Sequence, residues 1–167
     1  EYDRVGNLVK TINAMNGVST VVYDADGNLI SETNTDGATT TYTYDGLGRV
    51  LTMTDPVGAV TTTEYDANGN VVKLTQADGH SITYTYNARN ELTSYVDAEG
   101  YTHSFTYDGN GNKTSETDGN GNTTYYTYDG LDRLVGKKDA EGGVSSKTYD
   151  ADGRLIKVCL LYTSDAA

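Results

Sequence analysis

A tyrosine followed by aspartate or asparagine recurs at Tyr2, Tyr23, Tyr44, Tyr65, Tyr86, Tyr107, Tyr128 and Tyr149, every interval being 21 residues with no insertion or deletion. A strict period of this length means that one supersecondary unit is repeated, and such a unit covers its surface only by lying against its neighbours. The chain is therefore an array, and its fold is settled by what one repeat can form.

Each repeat contains two turns. The first follows the tyrosine and reads D-x-x-G at Asp3 to Gly6, Asp24 to Gly27, Asp45 to Gly48, Asp66 to Gly69, Asp108 to Gly111 and Asp150 to Gly153. Aspartate suits the first position of a type I turn because its carboxylate accepts a nearby backbone N–H, and glycine suits the fourth, where a left-handed conformation is required. Asn87 to Asn90 and Asp129 to Asp132 are the variants. A second turn of the same kind comes half a repeat later, at Asp55 to Gly58, Asp97 to Gly100, Asp118 to Gly121 and Asp139 to Gly142, with Asn34 to Gly37 and Gln76 to Gly79 as variants. Pro56, the only proline, takes the second position of its turn, where its fixed φ is an advantage. The first repeat departs most, with Asn16 in the glycine column and Gly17 one residue late.

Between the turns lie segments of strand length. Thr40-Thr41-Tyr42-Thr43-Tyr44 and Ile82-Thr83-Tyr84-Thr85-Tyr86 alternate with period two, which predicts strands with one aromatic face. After the first turn come adjacent apolar residues, as in Leu29-Ile30, Val50-Leu51 and Leu134-Val135. In a regular strand adjacent residues point to opposite faces, so both faces are expected to carry apolar surface there. The predicted fold class is all-β: an antiparallel meander, two strands per repeat, curling into a spiralling sheet or partial β-shell. Successive tyrosines are expected to stack as a ladder on one face. The structural anchors of this reading are Tyr23, Asp24, Gly27, Tyr44, Asp45, Gly48, Tyr65, Asp66, Gly69, Tyr107, Asp108, Gly111, Tyr128, Asp129, Tyr149, Asp150 and Gly153.

Composition tests this reading. Leu, Ile, Val and Phe together make up only about 18% of the chain, a level that in a charged sequence suggests disorder. Fifteen tyrosines and abundant threonine argue instead for a pleated, half-covered surface. The net charge of -12 argues against nucleic acid or an anionic membrane as partner. With one cysteine no internal disulfide can form, and no apolar run is long enough to span a membrane as a helix. The chain opens in mid-pattern, so any leader is expected upstream of it.

The array is read as residues 1 to 158. The next D-x-x-G turn is due at positions 160 to 163, which hold Leu160, Leu161, Tyr162 and Thr163. Residues 159 to 167 thus form an off-register tail, read as a sequencing-adapter artefact and excluded from fold reasoning, Cys159 included.

Few residues have catalytic potential. His80 and His103 fall in different columns of different repeats and are read as structural or surface residues; no catalysis is expected. The acidic turns raise calcium, but counting an EF-hand loop from Asp118 puts Thr123 at its sixth position and Asp129 at its twelfth, where glycine and glutamate are needed. Turn formation accounts for these residues, so no metal and no cofactor is expected. Arg49, Arg133 and Arg154 are expected to pair with nearby acidic tips.

A 21-residue unit of Tyr-Asp, D-x-x-G-[Asn/Arg] and an apolar pair, clearest at Tyr44-Asp45-Gly46-Leu47-Gly48-Arg49-Val50 and Tyr128-Asp129-Gly130-Leu131-Asp132-Arg133-Leu134, resembles the YD repeat of the Rhs family, related to repeats of teneurins and insecticidal toxin-complex proteins. The resemblance implies a hollow β-shell, in a secreted or cell-surface bacterial protein, that encloses a C-terminal toxin used against competitors. The implied partners are the rest of the same polypeptide: further repeats, a plug and the toxin domain. The family's self-cleaving residues lie in a segment not found here, so none is carried over. The alternative is an adhesive array that binds cell-surface glycans through exposed tyrosines.

Overall fold

A computed structural model of the chain describes residues 1–161. The tail reading at positions 162 to 167 lies outside the described residues. Among the described residues all regular structure is β, in two compact units, Glu1–Ser81 and from Ile82 onward. The first unit holds β1 (Lys10–Ile12), β2 (Val18–Tyr23), β3 (Leu29–Thr33), β4 (Thr39–Tyr44), β5 (Val50–Thr54), β6 (Val60–Tyr65) and β7 (Val71–Thr75). In the second are β8 (Ser81–Tyr86), β9 (Leu92–Val96), β10 (Thr102–Tyr107), β11 (Lys113–Thr117), β12 (Thr123–Tyr128), β13 (Leu134–Lys138), β14 (Val144–Tyr149) and β15 (Leu155–Leu161). Within each unit every strand pairs antiparallel with the next along the chain, the meander that the turn spacing predicts.

Both turns of a repeat have one geometry. At the first turn of the third repeat, Asp45 N donates to Arg49 O at 3.0 Å and Gly48 N to Asp45 O at 3.0 Å, which makes a type I turn closed by a left-handed residue. The left-handed position is glycine in most turns, and where it is not, Asn16, Asn90 and Asp132 adopt it themselves with φ of 60°, 60° and 59°. The first repeat therefore keeps its register through Asn16 rather than Gly17.

The two turns differ one step inward. After second turns the register runs on unbroken, as in Thr33↔Thr39 and Glu32↔Thr40. After first turns it slips: Tyr44 pairs with Val50 but Thr43 pairs with Thr52, leaving Leu51 as an extra residue. The same bulge recurs in β2–β3, β6–β7, β8–β9, β10–β11, β12–β13 and β14–β15. This corrects the expectation drawn from the apolar pairs. Both members of the pair oppose one tyrosine, so strict alternation of faces does not hold at that point.

The bulge also has a parity role. In an antiparallel hairpin, paired residues share a face and the period along a strand is two. A period of 21 is odd, so a meander without bulges would send successive repeat tyrosines to opposite faces. One extra residue per repeat cancels the inversion. Tyr42 pairs with Met53 and Met53 with Thr61, which puts Thr61, Thr63 and Tyr65 on the face of Tyr42 and Tyr44.

No described residue is buried. Each unit is a single layer with one face bearing the repeat tyrosines and one face dominated by threonine and serine, as in the row Thr43–Thr52–Thr62–Thr75. Stability therefore rests on backbone ladders, cross-strand pairs and contacts between repeats rather than on a core. At the end of the second unit Cys159 pairs with Ser146 in the register of the other repeats, and Leu160 and Leu161 extend β15 to pair with Ser145 and Val144, where the repeat pattern calls for a turn.

Candidate functional site

The Tyr-Asp pair performs two separate jobs. The aspartate organises its own turn. Asp45 Oδ1 accepts the backbone N–H of Leu47 at 2.9 Å and of Arg49 at 3.0 Å, while Oδ2 accepts Arg49 Nε at 2.7 Å. Asp24, Asp66 and Asp108 repeat this, with Asn28, Asn70 and Asn112 donating Nδ2 in place of the guanidinium. This gives a physical reason for Asn or Arg after D-x-x-G: in these turns the fifth residue donates to the second carboxylate oxygen, whereas Arg154 turns its guanidinium to Asp152.

The tyrosine reaches back to the preceding repeat. Tyr44 Oη donates to Leu29 O at 2.7 Å and Tyr65 Oη to Val50 O at 3.0 Å. Tyr107, Tyr128 and Tyr149 donate to Leu92 O, Lys113 O and Leu134 O, each at 2.9 Å. The acceptor always lies 15 residues upstream, at the start of the strand that follows the previous first turn. Where that turn ends in arginine, the guanidinium covers the ring: Arg49 lies 4.5 Å from the Tyr65 centroid and Arg133 4.7 Å from that of Tyr149. Each arginine is also paired to its turn carboxylate, Arg49 to Asp45 at 2.6 Å and Arg133 to Asp129 at 2.7 Å. Sequence reasoning reached the ion pairs and missed the rings. The available signal was the spacing, since the arginine sits five residues after one tyrosine and 16 before the next.

The tyrosine ladder is thus a series of clasps and not a stack of rings. Repeat tyrosines are two strands apart, roughly 10 Å at ordinary strand spacing, too far for ring contact. Among the described residues the ring contacts are Tyr84–Tyr95, Tyr95–His103 and Tyr95–Phe105, none of them between two repeat tyrosines.

The carboxylates of Asp24, Asp45, Asp66, Asp108, Asp118 and Asp129 titrate low. Asp45 is held below the ordinary carboxylate value by the Arg49 backbone and side-chain hydrogen bonds, and Asp24 and Asp118 by those of Asn28 and Asn122. A depressed folded value means that the charged form supports the fold. Its contribution is complete above the unfolded value, near 3.8, and is lost as pH falls through the folded values. The melting temperature is therefore expected to be level between roughly pH 5 and 7 and to fall steadily in acid; a melting curve at each pH, followed by far-ultraviolet circular dichroism, checks this.

One repeat departs from the rest. In the unit after Tyr86, Tyr95 stacks on His103 with centroids 4.3 Å apart and planes 4° from parallel, and Phe105 lies 6.1 Å from Tyr95. Asp97 Oδ2 lies 3.0 Å from His103 Nε2. This is the one place where a histidine and a carboxylate come together off the surface, the His103 and Asp97 side chains being 22% and 23% exposed. His80, beside Asp78, is largely exposed. Beside the aromatic group, Glu116 accepts from Lys113 Nζ and from Tyr126 Oη. Burial and the Glu116 bond push the Tyr126 phenol up to about 12. A raised folded value gives stability that is complete below the ordinary value of 10.0 and lost as pH rises through about 12. In an alkaline titration followed by tyrosinate absorbance, one phenol is expected to ionise last, and Tyr126→Phe should remove that late step.

Among the described residues no group of three or more His, Cys, Asp or Glu side chains is arranged to hold a metal ion. The acidic turns are occupied with their own backbones.

Comparison with known proteins agrees with the geometry. The RHS repeat family matches residues 23–63, 65–102, 86–123, 107–144 and 128–158. No curated protein sequence matches the chain. Among solved structures, that of TcdB2-TccC3 without its hypervariable C-terminal region superposes with a TM-score of 0.58 at 15% identity, over 96% of this chain and 11% of that one. The TcdB2-TccC3-Cdc42 structure aligns at 0.38 and 16% identity over 93% of this chain, and a Photorhabdus luminescens Tc holotoxin pore at 0.38 and 17% over 93%. The chain spans about one ninth of the length of these proteins, 11% in the first case and 12% in the other two. A 21-residue period, turns closed by Asp and Gly, and family matches over most of the sequence lead to one conclusion: the chain belongs to the RHS repeat family.

Proposed function

We propose that this chain is a wall segment of a β-shell that encapsulates and delivers a C-terminal toxin in competition between bacteria, as part of a secreted or cell-surface protein. The observation that carries the reading is the clasp. The Tyr, Asp and Gly of the repeat are engaged in holding their own turn or the preceding repeat, which suits a sheet that is extended repeat by repeat and leaves those residues no ligand to bind. The residues named above as anchors are thus structural, and the module is non-catalytic. The low apolar content fits a wall that faces water on both sides, and the fold likeness to TcdB2-TccC3, a protein with a hypervariable C-terminal region, supports the same reading.

The test is to recover the contiguous coding sequence around this reading frame, express the whole protein and treat it with protease. Encapsulation requires that a variable C-terminal domain survive inside intact repeats and be degraded once the shell is opened by denaturant. If the C-terminal domain is cut away at once while the repeats persist, or if no domain follows the repeats, the proposal fails.

A further inference from the structure

A regular array provides its own baseline, because each position can be compared with the same position in the other repeats. By that measure the unit after Tyr86 is exceptional. His103 occupies a column that holds Thr40, Thr61 and Thr124 elsewhere; Tyr101 occupies that of Ala38 and Ala59; Tyr95 that of Met53 and Leu74. Three positions that are small or aliphatic in those repeats, and charged or polar in some of the others (Glu32, Glu116 and Lys137 in the Tyr95 column, His80 and Asn122 in the Tyr101 column), are aromatic together here, and two of them, Tyr95 and His103, are directly paired across β9 and β10.

Tyr95 and His103 line a shallow pocket of about 270 Å³ together with Phe105, Glu116, Asp118 and Asn122. The pocket is built closely. A methyl group at Gly119, in the next turn, would come within 2.6 Å of Tyr101 Cβ and 3.2 Å of His103 Nε2, so that turn lies directly against the aromatic pair. Asp97 holds the imidazole parallel to the Tyr95 ring.

We propose that this pocket is a recognition site for an arginine side chain presented by a basic polypeptide. Aromatic rings beside carboxylates suit a guanidinium, which is planar, weakly hydrated and able to stack on a ring while donating to carboxylate oxygens. The protein uses the same chemistry internally. Arg49 and Arg133 lie over tyrosine rings while paired to aspartates, and Lys113 lies 5.5 Å from the Phe105 centroid and 5.3 Å from that of Tyr126 while paired to Glu116. The net charge of -12 attracts a basic partner from a distance. The inference does not depend on encapsulation, because it concerns one pocket within the second unit whatever the face encloses.

The test uses the intact chain and three short blocked peptides identical except for a central arginine, lysine or citrulline. Citrulline keeps the shape and loses the charge. The arginine peptide is expected to bind about tenfold more tightly than the citrulline peptide and to shift the ring resonances of Tyr95, His103 and Phe105 in NMR titrations. Tyr95→Leu with His103→Thr installs residues that other repeats carry in the same columns, so the array should tolerate both; this variant is expected to lose the preference for arginine. Equal binding of arginine and citrulline peptides, or retention of the preference by the double variant, overturns the proposal. So do shifts confined to the acidic turns, which mean diffuse charge attraction only. Displacement of the arginine peptide by a neutral disaccharide that shifts the same rings would make this a sugar site and also overturn it.

Discussion

Tyr107→Ala is expected to destabilise the second unit by about 2–3 kcal/mol, and Tyr107→Phe by about 1 kcal/mol, in urea unfolding followed by circular dichroism. The difference separates the two parts of the clasp. Phenylalanine keeps the ring over the preceding repeat and loses only the hydrogen bond to Leu92 O, leaving that carbonyl to water. Alanine loses the ring as well, and the upper end of the fully buried range does not apply because Tyr107 is only half-buried. In a quasi-one-dimensional array, stability is a sum of repeat and neighbour terms. Loss of one neighbour term should therefore also broaden the transition or divide it in two. An alanine variant as stable as the parent, with one sharp transition, would mean that the tyrosine does not hold repeats together.

The second large effect is expected at Arg133. Arg133→Ala removes the donor to Asp129 Oδ2 and uncovers the Tyr149 ring, and should cost about 1–2 kcal/mol. Arg133→Lys should recover only part of this, because an ammonium cannot bond the carboxylate through Nε and cover the ring as a plane at once. A double-mutant cycle with Tyr149→Leu isolates the arginine–tyrosine contact, for which a coupling of about 0.5–1 kcal/mol is expected. Zero coupling would reduce Arg133 to a turn residue. Asp129→Asn keeps one oxygen acceptor for the turn and should weaken the ion pair, so it is expected to lower stability less than Arg133→Ala does.

The aromatic pocket shows where reading by column succeeds and fails. Tyr95, His103 and Phe105 are visible in the sequence as departures from the repeat. Their meeting is not, because Tyr95 and His103 are eight residues apart and face each other only through the β9–β10 register. Glu116 and Asp118 join them from the next strand and turn, a repeat later. Judged singly, His103 is an isolated histidine with nothing to suggest a role. Arg49 and Tyr65 show the same limit, since a contact across 16 residues becomes legible only when strand order is known.

What the sequence by itself determined is everything local. The 21-residue spacing gave two turns and two strands per repeat, and aspartate and glycine gave the turn type, because a side chain that bonds its own backbone and a residue free to take positive φ act within five positions. Antiparallel order followed from the short connections. Only the tertiary structure decided which face each tyrosine takes. An odd period should alternate the faces, and one extra residue beside each first turn reverses that outcome; such a bulge has no residue signature of its own, since Ile30, Leu51 and Val72 read as ordinary strand residues. With the faces aligned, Tyr44, Tyr65, Tyr107, Tyr128 and Tyr149 each reach the backbone of the repeat before them. The array is thereby held together by hydrogen bonds between neighbours in place of a core.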